Sequence, residues 1–390
     1  MTAGPGLLAA LGLAAQVADD LVVGTSRDVH GAVSRRVYAV ARGVTGGRSR
    51  LPQRIHEGIA AGVYGGLRAG LRGAARVLGA VDSRGLGPRL EDSSRGRFAV
   101  AALNGLVGDR LVDDASPLAI RMAVRSRGRD VPLEPAALTA TFPDATGDLV
   151  VFMHGLGENE SYWQRRAAET GGSYGDRLAR RGWTPLFLRL NTGLPIAENG
   201  VSLAALLDDV VRSWPVPVRR LALVGHSMGG LVVRAACAVT GPGARWTDRV
   251  TDVVTLGSPH LGAPVERGLA LGSRALGVLP ESAPFGRILE YRSVGILDLR
   301  VGLARDVQNL PRARYRLVAA TLATSRRHPV SEVLGDALVR YPSATGRPRF
   351  GREMFPGAEV LHVRGGHFDL LNHPEVYDAL TAWLASPPEG

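Results

Sequence analysis

Lysine is absent from this sequence: all 47 residues of its Lys+Arg total are arginine. Because glycine reaches 50 residues, we interpret the missing lysine as a coding bias and not as a requirement for guanidinium groups. Cysteine is almost as scarce, since Cys237 is the only one. One thiol excludes a framework of disulfides within the chain, and we predict that Cys237 is a small buried side chain.

The sequence also lacks a long hydrophobic run of the kind that crosses a membrane. Residues 3–18 are apolar and uncharged, but they are rich in glycine, no basic residue precedes them, and Asp19 and Asp20 follow. This run is too short for a membrane span and lacks the basic start of a signal peptide. We therefore expect a cytoplasmic protein, or one held at the membrane periphery.

Acidic residues are scarce between Arg35 and Leu90: this segment contains eleven arginines and only two acidic residues, Glu57 and Asp82. Residues four apart share one face of a helix, and three rows at that interval run through this region: Gly58, Gly62, Gly66 and Gly70; Ile59, Val63, Leu67 and Leu71; Arg68, Arg72 and Arg76. The glycine row permits close approach of a partner. That partner is either the rest of the chain or an anionic lipid surface. Nucleic acid is not expected, because no aromatic residues interleave the arginines of these rows and no reader motif is present.

Residues 221–236 combine an apolar run, a Gly-x-Ser-x-Gly turn and a segment without helix breakers. The pattern predicts a buried strand over Leu221–Val224, a turn over Gly225–Gly229 and a helix from Gly230. This is the context of a nucleophile elbow, in which Ser227 takes a strained backbone conformation that holds its hydroxyl clear of the sheet. The alternative is an ordinary glycine-rich turn between a strand and a helix.

An elbow serine needs donors for a developing oxyanion, and a second segment is suited to provide one. Residues 148–157 form a strand of branched and aromatic side chains that ends in His-Gly-x-Gly. A sharp turn at Gly155 would aim the backbone N–H of Leu156 at the serine, and the N–H of Met228 would be the second donor. We expect the side chain of His154 only to brace this loop.

A serine nucleophile also needs a base to take its proton. We expect this base to be a histidine late in the chain, after the last strand. Residues 358–364 alternate weakly and predict that strand, and a closing helix is predicted from Pro374 to Leu384. His367 lies on the loop between them, where its imidazole could reach Ser227. His362 within the strand and His373 before the helix are expected to be structural.

The orienting acid is expected after the penultimate strand, Tyr315–Leu322. Four carboxylates lie between that strand and His367: Glu332, Asp336, Glu353 and Glu359. Asp336 follows Gly335 and precedes apolar residues, a setting that can bury its carboxylate beside the imidazole. We predict that Asp336 is the acid, with Glu332 as the competitor.

Five short motifs occur in an order that is more specific than any one of them: HGLGE, GHSMGG, SPHLGAP, GDALV and GGHFDLLNHP. With them, residues 135–386 resemble the α/β-hydrolase superfamily, and within it bacterial lipases and esterases and the GPI inositol-deacylase-like group. The resemblance implies ester hydrolysis through an acyl-enzyme, without a cofactor, and it does not fix the substrate. Residues before about 120 match no family that we can name.

The predicted organisation is an α/β-hydrolase fold, a mostly parallel central sheet flanked by helices. It comprises a helical Gly/Ala/Arg-rich region over 1–117 and a catalytic domain over 118–390, within which residues 264–310 form a lid insertion. Ile120–Val124 and Ala137–Thr141 are predicted as the first, antiparallel strands. The expected partner is an ester or lipid substrate. The alternatives are an acyltransferase or amidase that uses the same residues, and a non-catalytic lipid- or protein-binding scaffold.

Overall fold

The structure is a computed structural model that describes residues 69–70, 73, 90–239, 245–263, 293–301, 307–322, 336, 338–348 and 352–385. Most of the predicted glycine-row helix, and residues 264–292 and 302–306 of the predicted lid, lie outside the described residues. The chain divides into two compact units, Met1–Gly96 and Arg97–Gly390. The division at residue 117 stays a prediction, as does the lid.

Eight strands form one sheet within the described part of the chain: β1 (Ala123–Ser126), β2 (Arg129–Asp130), β3 (Asp148–Met153), β4 (Thr184–Arg189), β5 (Arg220–His226), β6 (Val250–Leu256), β7 (Arg314–Thr321) and β8 (Glu359–Arg364). Their order across the sheet is β2-β1-β4-β3-β5-β6-β7-β8. The strand β1 pairs antiparallel with β2 and β4, and every neighbouring pair from β4 to β8 is parallel. The predicted mostly parallel sheet is confirmed.

Helices connect and cover these strands: α1 (Ser94–Asp113), α2 (Pro135–Thr141), α3 (Ala167–Thr170), α4 (Tyr174–Ala179), α5 (Ile196–Ser213), α6 (Met228–Ala238), α7 (Val294–Val301), α8 (Tyr341–Ala344) and α9 (Pro374–Ala385). Short 3₁₀ turns lie at Leu90–Asp92, Glu160–Gln164, Thr247–Arg249 and His367–Leu370. No helix among the described residues combines the length and apolar character that crossing a bilayer requires.

The central strands are apolar on both faces because helices cover both sides of the sheet. Alternate side chains of a strand point to opposite faces, so Leu149, Val151 and Met153 of β3 join one core and Val150 and Phe152 join the other. The first core includes much of α5 and α6, and the second includes α9. Cys237 is buried in α6, where burial raises the pKa of its thiol to about 12.

One predicted strand is wrong. Residues 137–141 lie within the helix α2, whose first position is Pro135. A proline fits this position because its missing N–H would have no partner in the first turn of a helix. The first antiparallel strands are instead β1 and β2, a tight hairpin that turns at Arg127 and Gly128, both with positive φ. The predicted strand at Ile120–Val124 therefore overlaps β1 by two residues and begins too early.

Candidate active site

Ser227 lies between the last residue of β5 and the first residue of α6. Its backbone has φ 53° and ψ −123°, a conformation that costs a residue with a Cβ free energy and is common at functional sites. Close packing explains the flanking glycines: a Cβ on Gly225 would lie 2.5 Å from the Cα of Gly230, and one on Gly229 would lie 2.4 Å from the carbonyl oxygen of Met153. The chain at Ser227 therefore has the geometry of an elbow.

The loop after β3 packs directly on this elbow. A Cβ on Gly155 would lie 2.9 Å from the Cβ of Ser227, so no side chain fits at this position without movement of the loop. Leu156, which follows, is buried. Met228 is the first residue of α6, where a backbone N–H has no partner within the helix. Both predicted oxyanion donors thus lie in segments that border Ser227.

The His154 side chain braces the loop, as expected. Its Nε2 accepts a hydrogen bond from the N–H of Leu190 at 3.3 Å, and its Nδ1 lies 3.0 Å from the carbonyl oxygen of Gly155. An imidazole that accepts at one nitrogen and donates at the other is neutral. Burial, which lowers the pKa of His154, agrees with that state.

Asp336 and His367 meet at the carboxyl end of the sheet. Asp336 Oδ2 lies 2.7 Å from His367 Nδ1, and the backbone N–H of His367 donates to the carbonyl oxygen of Asp336 at 3.0 Å. The other carboxylate oxygen accepts from the N–H groups of Leu338 and Val339. Both side chains are buried. Among the described residues, His367 Nε2 has no hydrogen-bond partner.

The imidazole of His367 lies beside the elbow. A Cβ on Gly257 would lie 3.2 Å from its Nδ1 and Cε1, and the residue before Gly257, Leu256, accepts the backbone hydrogen bond of Ser227 at 2.8 Å. The ring centroids of His367 and His226 are 4.8 Å apart. The structure therefore brings the segments of Ser227, Asp336 and His367 together.

The competing side chains that the structure describes lie elsewhere. Glu353 pairs with Arg347 at 3.1 Å, and Glu359 is exposed and lies 3.7 Å from Arg316. His362 contacts the hydroxyl of Thr321 at 2.7 Å within the sheet. Glu332 lies outside the described residues.

Glu158 and His226 form a second buried carboxylate–imidazole pair, which no pattern in the sequence predicted. His226 Nδ1 lies 3.1 and 3.2 Å from the two oxygens of Glu158. Burial disfavours the charged form of each group, but their mutual attraction outweighs it: the pKa of His226 is raised and the pKa of Glu158 is lowered. The available signal was a carboxylate and an imidazole placed in two glycine-rich motifs, HGLGE and GHSMGG.

One family model agrees with this architecture. Residues 144–272 match the family described as PGAP1-like alpha/beta domain. No curated protein matches the chain.

Several solved structures resemble this one. They include the mature form of the Bacillus licheniformis lipase BlEst2 (20% identity, 61% of this chain and 91% of that chain, TM-score 0.43) and a Pyrococcus furiosus esterase (15% identity, 62% and 82%, TM-score 0.41). Another is a lipase-esterase related protein from Clostridium acetobutylicum (12% identity, 62% and 96%, TM-score 0.39). Likeness at this level carries no activity over to this chain. The family match, the sheet order and the elbow at Ser227 together support the assignment of the chain to the α/β-hydrolase superfamily.

Proposed function

We propose that the protein is a serine hydrolase that cleaves carboxylic esters through an acyl-enzyme. The observation that carries the proposal is the buried contact of 2.7 Å between Asp336 and His367 Nδ1, with no partner for Nε2 among the described residues, beside the strained turn at Ser227. A base whose first nitrogen is held by a carboxylate and whose second nitrogen is vacant can take a proton from a nearby hydroxyl.

In the proposed mechanism, Ser227 Oγ attacks the ester carbonyl carbon while His367 Nε2 takes the hydroxyl proton. Asp336 holds the tautomer and stabilises the imidazolium that forms. The N–H groups of Leu156 and Met228 hold the oxyanion. When the tetrahedral intermediate collapses, the C–O bond to the alcohol breaks and His367 gives its proton to that alcohol. His367 then takes a proton from water, which attacks the acyl carbonyl carbon. As the C–O bond to Ser227 Oγ breaks, His367 returns that proton to Oγ and the acid is released.

Activity depends on Ser227, which gives the direct test. We expect Ser227→Ala to lower kcat/KM for short p-nitrophenyl esters by roughly a thousandfold or more, and a fluorophosphonate to label the wild-type protein but not this variant. Ser202→Ala is the matched control, because Ser202 is exposed on α5, and it should keep wild-type rates. Wild-type activity in Ser227→Ala, or labelling at another residue, would contradict the proposal.

The substrate class and its location belong to the same proposal. We propose a lipid or other ester presented at a membrane surface, because the arginine-rich segment between Arg35 and Leu90 would be attracted to anionic headgroups and residues 264–310 would cover an acyl pocket. A panel of esters of increasing chain length, with and without anionic vesicles, tests this. With the whole protein, vesicles should raise kcat/KM for esters that have long acyl chains. No gain at any acyl-chain length would count against a role at the membrane surface.

Competing acceptors separate hydrolysis from transfer. With added short alcohols or amines, a hydrolase should still release mainly the free acid, because water completes the deacylation. Predominant formation of a new ester or amide would assign the protein as an acyltransferase instead.

A further inference from the structure

Glu158 and His226 form a pair whose two side chains are both buried. The side chain of Glu158 is 2% exposed and that of His226 is 0% exposed. Glu158 Oε2 accepts a hydrogen bond from the N–H of Gly155 at 2.8 Å and lies 3.2 Å from His226 Nδ1. At the far side of the ring, His226 Nε2 lies 3.3 Å from the carbonyl oxygen of His367.

Both nitrogens of His226 therefore face acceptors, a carboxylate on one side and a carbonyl on the other. A carbonyl oxygen cannot donate, and a buried imidazole can satisfy two acceptors only when both nitrogens carry protons. The favoured state of the pair is thus a carboxylate with an imidazolium. The raised pKa of His226 and the lowered pKa of Glu158 agree with this state. Among the described residues, His154 and Asp336 also act on the charges of the pair, and the imidazole of His367 lies 4.8 Å from that of His226, centroid to centroid.

Three segments of the active site meet at this pair. The carboxylate of Glu158 packs on the loop after β3, which contains the proposed oxyanion donor Leu156 and is here called the oxyanion loop. A Cβ on Gly155 of this loop would lie 3.1 Å from Glu158 Oε1 and 2.9 Å from the Cβ of Ser227. His226 directly precedes Ser227. Its Nε2 holds the backbone of His367, and its ring stands 4.8 Å from that imidazole. The pair is thus hydrogen-bonded to the oxyanion loop and lies at hydrogen-bond distance from the backbone of the base His367. It is also adjacent in sequence to the nucleophile Ser227.

We infer that Glu158 and His226 are positioning residues that fix the oxyanion loop, the Ser227 turn and the His367 loop relative to one another. This inference rests on the proposed function. Neither side chain touches the reacting atoms; both act through the backbone of Gly155, Ser227 and His367. Their effect should fall on the transition state, because an oxyanion donor or a base displaced by a fraction of an ångström loses much of its value while substrate binding continues.

The test combines two single variants with a double variant. Glu158→Gln keeps the size of the side chain and an acceptor for Gly155 but removes the charge, and His226→Gln removes the imidazolium. We expect Glu158→Gln to lower kcat by about 10- to 100-fold with KM within about threefold of wild type, and to slow fluorophosphonate labelling in the same proportion. The double variant should lose no more than the worse single variant, because members of one unit are not additive.

Asp148→Asn is the matched control. Asp148 is a buried carboxylate that pairs with Arg220 at 2.5 Å, but it begins β3 at the end of the sheet away from Ser227. It should lose stability to a similar extent and keep kcat. A circular dichroism melt establishes that each variant is folded at the assay temperature, and His226→Gln replaces Glu158→Gln as the principal variant where the latter does not fold.

Three results would overturn the inference: wild-type kcat in a folded Glu158→Gln variant, an equal loss in Asp148→Asn, or losses that multiply in the double variant. Failure of the proposed function has a different signature. In that case the wild-type protein hydrolyses no ester that Ser227→Ala does not, and the fluorophosphonate does not label Ser227.

Discussion

Two carboxylate–imidazole pairs lie beside one serine, and they differ in what the second ring nitrogen contacts. His367 Nδ1 faces Asp336, and its Nε2 has no hydrogen-bond partner among the described residues. His226 Nδ1 faces Glu158, and its Nε2 is 3.3 Å from a carbonyl oxygen. A ring nitrogen without a hydrogen-bond partner in the protein can exchange protons with a substrate, whereas a ring nitrogen that bonds to a backbone carbonyl can only stabilise the structure. The chemistry of an imidazole at this site is therefore decided by its second contact.

The carboxylates differ in a parallel way. Asp336 is held by amides of its own turn, at Leu338 and Val339, so its position is set locally and its free oxygen is offered to His367. Glu158 bonds to Gly155 and reaches His226, 68 residues away. The first carboxylate serves one imidazole, and the second connects separate segments. We expect their removal to lower kcat to different extents.

Replacing Asp336 should give the largest effect on activity. Asp336→Asn keeps the shape of the side chain, but an amide that donates to Nδ1 favours the wrong tautomer of His367. We expect kcat to fall by roughly 10³- to 10⁴-fold, as the loss of such an acid does in serine hydrolases. Steady-state kinetics on a p-nitrophenyl ester measures the loss.

Glu332→Gln is the control for that experiment, because Glu332 is the carboxylate that the sequence leaves in competition. It should retain wild-type kcat. A larger loss in Glu332→Gln than in Asp336→Asn would identify Glu332 as the acid in place of Asp336.

Asn372 links the base loop to the segment that follows Glu158, and its removal should mainly reduce stability. Its side chain accepts from the N–H of Tyr174 at 2.7 Å and donates to the carbonyl oxygens of Trp163 and Arg165 at 2.9 and 2.6 Å. We expect Asn372→Ala to lower the free energy of unfolding by about 2–4 kcal/mol, since buried partners lose their bonds. Urea denaturation measures this.

A second substitution at the same position separates hydrogen bonding from backbone strain. Asn372 has φ 60°, a conformation that asparagine and glycine tolerate better than alanine. Asn372→Gly should therefore be more stable than Asn372→Ala by about 1 kcal/mol, and both should keep more activity than Asp336→Asn. Equal stability of the two variants would show that the hydrogen bonds alone account for the loss.

Local pattern predicted the fold better than it predicted the contacts. The strand predicted at residues 358–364 forms as β8 without its first residue. The elbow strand and its helix also form, with wider bounds than predicted: the strand is Arg220–His226 and the helix begins at Met228. Asp336 and His367 could be nominated because an elbow serine fixes the order of acid and base along the chain. Their contact, in contrast, depends on how two loops fold together.

The failures have physical reasons. The segment Ala137–Thr141 is short and mixes apolar with β-branched residues, so its composition favours a strand, while Pro135 and packing of Leu138 in the core favour the helix that forms. Glu158 and His226 carried no periodic signal. Their partnership exists only because β3 and β5 are neighbours in the sheet, which places the ends of both strands side by side.

The pH dependence of stability gives the smallest and most specific test of the second pair. Burial opposes both charges, but Glu158 raises the pKa of His226 above its usual 6.5, and His226 lowers the pKa of Glu158 below its usual 4.5. A raised histidine pKa contributes stability that is complete below 6.5 and is lost as pH rises through the folded value. A lowered carboxyl pKa contributes stability that is complete above 4.5 and is lost on acidification. Both contributions are therefore present together between these two values.

We accordingly expect the difference in free energy of unfolding between wild type and Glu158→Gln to be largest at about pH 5.5 and to shrink as the pH rises above 6.5 and through the raised pKa of His226. Urea denaturation at several pH values measures it. Asp148→Asn should show no such decline, because Asp148 pairs with two arginines and not with a histidine. A difference for Glu158→Gln that stays constant or grows with pH would mean that His226 is neutral when folded. In that case the contact with the carbonyl of His367 would lack its proton, and the distinction between the two pairs would rest on position alone.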